Sequence, residues 1–172
     1  MATQFESHYA REAFPCIDEP AAKAVFELTI TVPDKEDLIL TNVPMGEPTP
    51  RMSTYLLAWV IGKFNGKSVT NAHGVEITTY CALNQDVDAV DFANEVAAQS
   101  LEFYDDNFGE PYPLTKLTQV ALPDFEAGAM ENWGLVTYRE SMLLVGESAT
   151  LSTRKSVALT VAHELSHQWF GD

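Results

Sequence analysis

Residues 157–172 read VALTVAHELSHQWFGD, and their periodicity decides how the second half of the chain is built. Val157, Val161, Leu165 and Trp169 recur every four residues, the spacing of an apolar stripe on an α-helix. Extended backwards, the pattern predicts a helix over 152–171, with Ser152 or Thr153 as N-cap and Gly171 closing it. At 3.6 residues per turn, positions four apart differ by about 40° around the axis. His163 and His167 therefore stack on one face, where both imidazoles can reach one metal ion. Glu164 lies about 100° round from His163, which suits a carboxylate beside the metal rather than a ligand to it. HExxH is a zinc-ligand spacing with the glutamate as general base. Two histidines on the wet side of an amphipathic helix fit the same five letters, so the spacing alone leaves both readings open.

Working outward, PDFEAGAMENWGLVTYRE (123–140) supplies a second feature. Gly128 and Ala129 are small enough to let another backbone approach. Glu131 can hold a cation, for which a peptide's free amine is a candidate. The plainer reading of Glu131 is an edge-strand glutamate in solvent. KLTQVALP (116–123) and GLVTY (134–138) read as strands. Residues 84–113 read as a helix with its punctuation: Asn84 or Asp86 as cap, and a stripe of Val87, Val90, Ala93, Ala97, Leu101 and Tyr104. Gly109 supplies the left-handed stop and Pro111 prevents continuation.

The first half reads as β. VFELTITV (25–32) alternates, with Phe26, Leu28, Ile30 and Val32 on one face. LILTNV (38–43) follows the charged loop PDKED (33–37). STYLLAWVIGKF (53–64) is long and apolar, as expected of a strand covered on both faces. Asn65–Gly66 offers a hairpin turn, and GVEITTYCAL (74–83) alternates with Val75, Ile77, Thr79 and Cys81 on one side. These signals predict an antiparallel sheet domain. A boundary falls at 82–86, dividing the chain into 1–84 and 85–172.

The chain has 172 residues, 46% of them apolar, and a formal net charge of -15. Such acidity disfavours nucleic acid and anionic membrane surfaces as partners. No apolar run is long enough to span a bilayer, and MATQFESHYAR has neither the basic nor the apolar region of a signal peptide. The expectation is a cytoplasmic protein whose two cysteines, Cys16 and Cys81, are reduced.

GAMENWGLVTYRE followed by VAHELSHQWFGD closely resembles the gluzincin zinc aminopeptidases, the aminopeptidase N-like family. AREAFPCIDEPAAKAVFELTI (10–30) and TPRMSTYLLAWVIGKF (49–64) resemble the end of that family's N-terminal β domain. The resemblance implies an α+β chain. Residues 1–84 would be the C-terminal part of an antiparallel, saddle-like β domain, and 85–172 the first part of a thermolysin-like catalytic domain. It implies one zinc ion held by His163 and His167, with Glu164 as general base. It assigns substrate binding to Gly128, Ala129, Met130, Glu131 and Asn132, with Glu131 fixing the α-amino group of a peptide with a free N-terminus. The family's third zinc ligand, a glutamate further along, has no counterpart here, so the resemblance implies a fragment whose remaining partner is the rest of a parent polypeptide. Between TNVP and TPRMSTY stand only the residues MGEP (45–48), where the family usually places a further strand. Two alternatives stay open: an epoxide-hydrolysing relative, though that branch typically carries GGMEN where this chain has Ala129, and a non-catalytic peptide-binding module.

Overall fold

A computed structural model describes all residues except Asp34 and Glu36. Its centre is a five-stranded mixed sheet of order β3-β4-β5-β7-β6, formed by β3 (Phe64–Thr70), β4 (Glu76–Ala82), β5 (Lys116–Leu122), β6 (Ala129–Met130) and β7 (Leu135–Arg139). β5 is the middle strand and pairs in parallel with both β4 and β7, while β3 and β6 are antiparallel edges. A strand in that place is covered on both faces and reads as an unbroken apolar run. Leu117 to Leu122 are accordingly all buried.

Helix α2 (Asp91–Phe108) and helix α3 (Leu151–Ser166) pack together on one face of the sheet. There Ile77, Ala93, Ala97, Leu101, Leu117, Val136, Val157, Val161 and Leu165 are fully buried. Each such aliphatic side chain larger than alanine gains roughly 1.5–3 kcal/mol on leaving water. Asp86 caps the 3-10 turn that leads into α2, its side chain accepting from the Asp88 N–H, and Gly109 ends α2 at φ 71°. On the opposite face Val120, Leu122 and Leu135 meet Leu40, Ala58 and Val60, carried by the antiparallel pair β1 (Leu38–Thr41) and β2 (Trp59–Gly62) and its approach. A third apolar cluster, around Phe5, Ala10, Met52, Leu56 and Met130, joins the N-terminal segment and its short helix α1 (Ala10–Ala13) to strand β6. The result is an α+β arrangement of helices, mixed sheet and strand pair. Among the described residues no helix is long and apolar enough to cross a membrane.

Several sequence expectations are corrected. The first-half strands do not form one antiparallel sheet. β1 and β2 pair with each other, whereas β3 and β4 join β5 in the five-stranded sheet. Residues 25–32 keep their alternating exposure but form no ladder; their neighbourhood is tied down by the Ala24–Met52 bridge and by Phe26 bonding to Thr49. Residues 53–64 are not one strand: a 3-10 turn at Thr54–Leu56 precedes β2, and the chain changes sheets after Gly62. Asn65–Gly66 is no turn but lies inside β3, opposite Cys81 and Tyr80. A Cβ on Gly66 would stand 2.5 Å from Tyr80 Cδ1, so the glycine makes room for that ring. Helix α3 starts earlier than expected, capped by Thr150, whose hydroxyl accepts from the Thr153 N–H, and it ends at Ser166 with looser turns beyond. The charged loop 33–37 includes Asp34 and Glu36, which lie outside the described residues. Residues Pro44–Met52 run continuously, with the Glu47 N–H bonded to the Pro44 carbonyl and that of Thr49 to Phe26. Both cysteines are free, Cys81 buried and Cys16 half-buried.

Candidate active site

Burial of Val157, Val161 and Leu165 turns the opposite flank of α3 outward, and His163 and His167 stand on that flank. Their rings are nearly perpendicular, at 83°, and Nε2 of one lies 3.2 Å from Nε2 of the other. His167 Nδ1 is 2.9 Å from the Phe170 carbonyl, an acceptor, so this nitrogen carries the proton and Nε2 presents a lone pair. Two imidazole nitrogens at 2.0–2.1 Å from a tetrahedral zinc would be about 3.3 Å apart. The observed spacing, and a ring fixed through its far nitrogen, fit a divalent metal of this kind. Among the described residues no group of three or more histidine, cysteine or carboxylate side chains is placed to hold a metal.

Glu164 follows His163 but belongs to the buried side, at 7% exposure. Its carboxyl is raised to about 7, by burial first and then by Glu131 and Glu6, with His167 opposing them. Glu131 comes directly after β6, at the edge of the sheet, and acts on several groups at once. Burial and then Glu131 raise Glu6, and the same two causes lift Asp172 to about 9. Tyr55 is pushed up to about 12 by burial, then Glu131, Asp172 and Glu6. Glu6, Glu131, Glu164 and Asp172 thus form one mutually repelling group beside the histidines, the electrostatic setting that a bound cation relieves.

The turn after Glu131 is held group by group. Gln168 donates from Nε2 to the Glu131 carbonyl at 3.1 Å and accepts from the Gly134 N–H at 3.1 Å. Asn42 donates to the Trp133 carbonyl at 2.8 Å. Lys116 Nζ donates to the carbonyls of Gly134 at 2.9 Å and Thr41 at 2.5 Å, and to Thr118 Oγ1 at 3.1 Å. Burial pulls the Lys116 ammonium down to about 7, while those three acceptors match its three protons. At Gly134 φ is 75°, and a Cβ there would stand 2.2 Å from the Asn42 carbonyl oxygen.

The residues read from the sequence are therefore placed as follows. His163, His167, Glu164 and Glu131 come together. Gly128 and Ala129 lie at the outer edge of the sheet, and nothing stands within 4 Å of where a Gly128 Cβ would be. Met130 is fully buried in the cluster with Phe5 and Met52, leaving its backbone as the part nearest the edge. Asn132 is buried, its Nδ2 3.5 Å from Thr137 Oγ1 and its carbonyl accepting from Leu135, so it shapes the turn. Glu6, Tyr55, Gln168, Asn42 and Lys116 escaped the sequence reading. Gln168 directly follows His167, but no spacing rule marks any of the five.

Comparison with known proteins gives the family. The family model described as the Peptidase family M1 domain matches residues 92–172, and that of the Peptidase M1 N-terminal domain matches residues 1–56. Aminopeptidase N of Lactococcus lactis subsp. lactis is 49% identical over 187 residues, covering 100% of this chain and 22% of that protein. Aminopeptidase N of Lactobacillus helveticus is 44% identical, with 100% and 22% covered. Aminopeptidase M1-C of Oryza sativa subsp. japonica is 47% identical, with 99% and 21% covered. The chain thus spans about a fifth of the length of the curated relatives it matches.

Proposed function

Because the chain belongs to peptidase family M1, we propose that it carries the substrate-anchoring half and two metal ligands of a zinc aminopeptidase that removes single residues from free peptide N-termini. The observation that carries this reading is the convergence of the His163–His167 pair and Glu131 on Glu164. His163 and His167 would hold zinc through Nε2, and we assign the third protein ligand to residues outside this chain. Zinc, when bound, supplies a Lewis acid that stabilises negative charge developing on the scissile carbonyl.

The remaining roles fall to the chain's own groups. Glu131, with Glu6 beside it, binds the substrate ammonium, which explains why carboxylates that repel one another are gathered there. The peptide backbone lies along the open edge of β6, where Gly128 leaves room and unpaired strand groups can bond to it. Glu164 takes the proton of the attacking water and delivers it to the departing nitrogen; a carboxyl lifted towards neutrality by burial is suited to both transfers. Ala129, where the epoxide-hydrolysing branch has glycine, favours the peptidase reading. Residues 1–84 are read as the close of the family's N-terminal β domain and 85–172 as the start of its thermolysin-like catalytic domain. The separate matches to 1–56 and 92–172 support that division, with β3 and β4 as the seam. A cytoplasmic location belongs to the same reading and is supported by the free thiols.

The test compares one peptide with a free and with an acetylated N-terminus, using the full-length protein before and after zinc removal. Zinc-dependent release of the first residue from the free peptide alone is expected. Equal rates on both peptides would refute the role of Glu131, and full activity after zinc removal would refute the role of the histidines.

A further inference from the structure

Gln168 follows His167 directly, yet its side chain turns away from the metal-binding flank into the protein, where it is 3% exposed. The carboxamide makes three hydrogen bonds there. Nε2 donates to the Glu131 carbonyl at 3.1 Å and to Asp172 Oδ2 at 2.9 Å, and Oε1 accepts from the Gly134 N–H at 3.1 Å. One side chain borne by the turn after α3 thus grips both ends of the turn that carries Glu131. The middle of that turn is held from elsewhere in the fold, by Asn42 at Trp133 and by Lys116 at Gly134.

We propose that Gln168 is a positioning residue that sets the distance between the histidine pair and the Glu131 carboxylate, and through it the cleavage register of one residue. The inference rests on the reading of His163 and His167 as metal ligands and of Glu131 as the amine anchor. A substrate that uses both anchors must span them with a single residue's backbone, so their separation decides which carbonyl reaches the metal. A planar carboxamide donates on one side and accepts on the other, which is what clamping a carbonyl and an N–H three residues apart requires. Both contacts are with backbone, so they fix the path of the turn whatever side chains the substrate brings.

The experiment uses the zinc-loaded full-length protein as wild type, Gln168→Met and Gln168→Glu. Methionine keeps the length and loses every bond; glutamate keeps the acceptor for Gly134 but cannot donate to the Glu131 carbonyl. Zinc content and melting temperature are measured first. Calorimetry then gives the affinity of leucine hydroxamate, which carries an amine and a metal-binding group in one molecule, and of acetohydroxamate, which carries the metal-binding group alone. Both variants should keep their zinc and bind acetohydroxamate within about twofold of wild type, whereas leucine hydroxamate should weaken ~10–100-fold, the cost of misplacing one anchor by about 1 Å. If Gln168→Met does not fold, Gln168→Glu carries the same comparison. Unchanged preference for leucine hydroxamate in a folded variant, or parallel loss of both ligands, overturns the proposal. A wild type that does not distinguish the two hydroxamates sinks the amine anchor itself.

Discussion

Replacing Gly134 by alanine tests the turn behind Glu131 with a magnitude that follows from two separate costs. The first is conformational: φ is 75°, and an L-residue in that left-handed region costs about 1–2 kcal/mol. The second is steric. The new methyl would stand 2.2 Å from the Asn42 carbonyl oxygen and 2.7 Å from Leu114 Cδ1. The leucine can rotate, but the carbonyl is backbone, and Asn42 is anchored by bonds to Leu56, Trp133 and Ala58. Forcing such a contact apart costs about 1–3 kcal/mol. Gly46 separates the two costs, because its φ is 87° and nothing lies within 4 Å of its absent Cβ. Gly46→Ala should therefore lose about 1–2 kcal/mol, the conformational cost alone. Gly134→Ala should melt lower by a further ~2–12 °C, at ~2–4 °C per kcal/mol for a cooperative unit of this size. Thermal unfolding of the two variants side by side is the assay. Equal melting temperatures would show that the Asn42 carbonyl does not stand where the packing of this turn requires it.

Further outcomes are expected from other sites. Gly128→Ala meets no atom within 4 Å and should change stability by less than about 0.5 kcal/mol, while lowering kcat/KM because the added methyl enters the path assigned to the peptide; unaltered kinetics would remove Gly128 from the binding edge. Glu164→Gln should retain zinc, measured by atomic absorption, and lose ~10²–10⁴-fold in kcat, so loss of the metal would make Glu164 structural instead. His73 lies 2.6 Å from Asp105, whose hydrogen bond is the largest cause raising the imidazole pKa. A raised folded-state pKa gives stability that is complete below the ordinary value of about 6.5 and fades as pH rises through the raised one. The melting-temperature gap between wild type and His73→Ala should thus shrink from pH 6 to pH 9; a gap that widens contradicts the pairing.

The sequence was most legible where one element carries the whole signal. Val157, Val161 and Leu165 place α3, and α3 places the two histidines, so spacing alone reached the nitrogen pair. Periodicity is weaker on what lies across from a strand. Phe26 and Leu28 alternate faithfully with exposed neighbours, yet no strand pairs along them, because alternation records burial on one face and says nothing of a ladder partner. Asn65–Gly66 has a turn composition, but its glycine serves the Tyr80 ring instead, a contact made by a residue on another strand. Glu6 was invisible for a related reason. Only the fold brings it to Glu131 and His167, across most of the chain, and nothing in QFESHYAR marks a ligand.

The parallel pairing of β5 has a consequence for how the chain is made. Thr3 meets Trp59 across 56 residues, and β4 has no partner on its inner edge until β5, starting at Lys116, has been synthesised. At ~5–20 residues per second, the N-terminal segment waits roughly 3–11 s on the ribosome for Trp59. Phe5 and Ala10 wait longer still for Met130, which completes their cluster. Between the completion of β4 at Ala82 and the arrival of β5 at Lys116, the β3–β4 pair has no partner along β4 and an apolar face awaiting α2, a combination prone to wrong pairing. A translational pause between Ala82 and Lys116 prolongs this state.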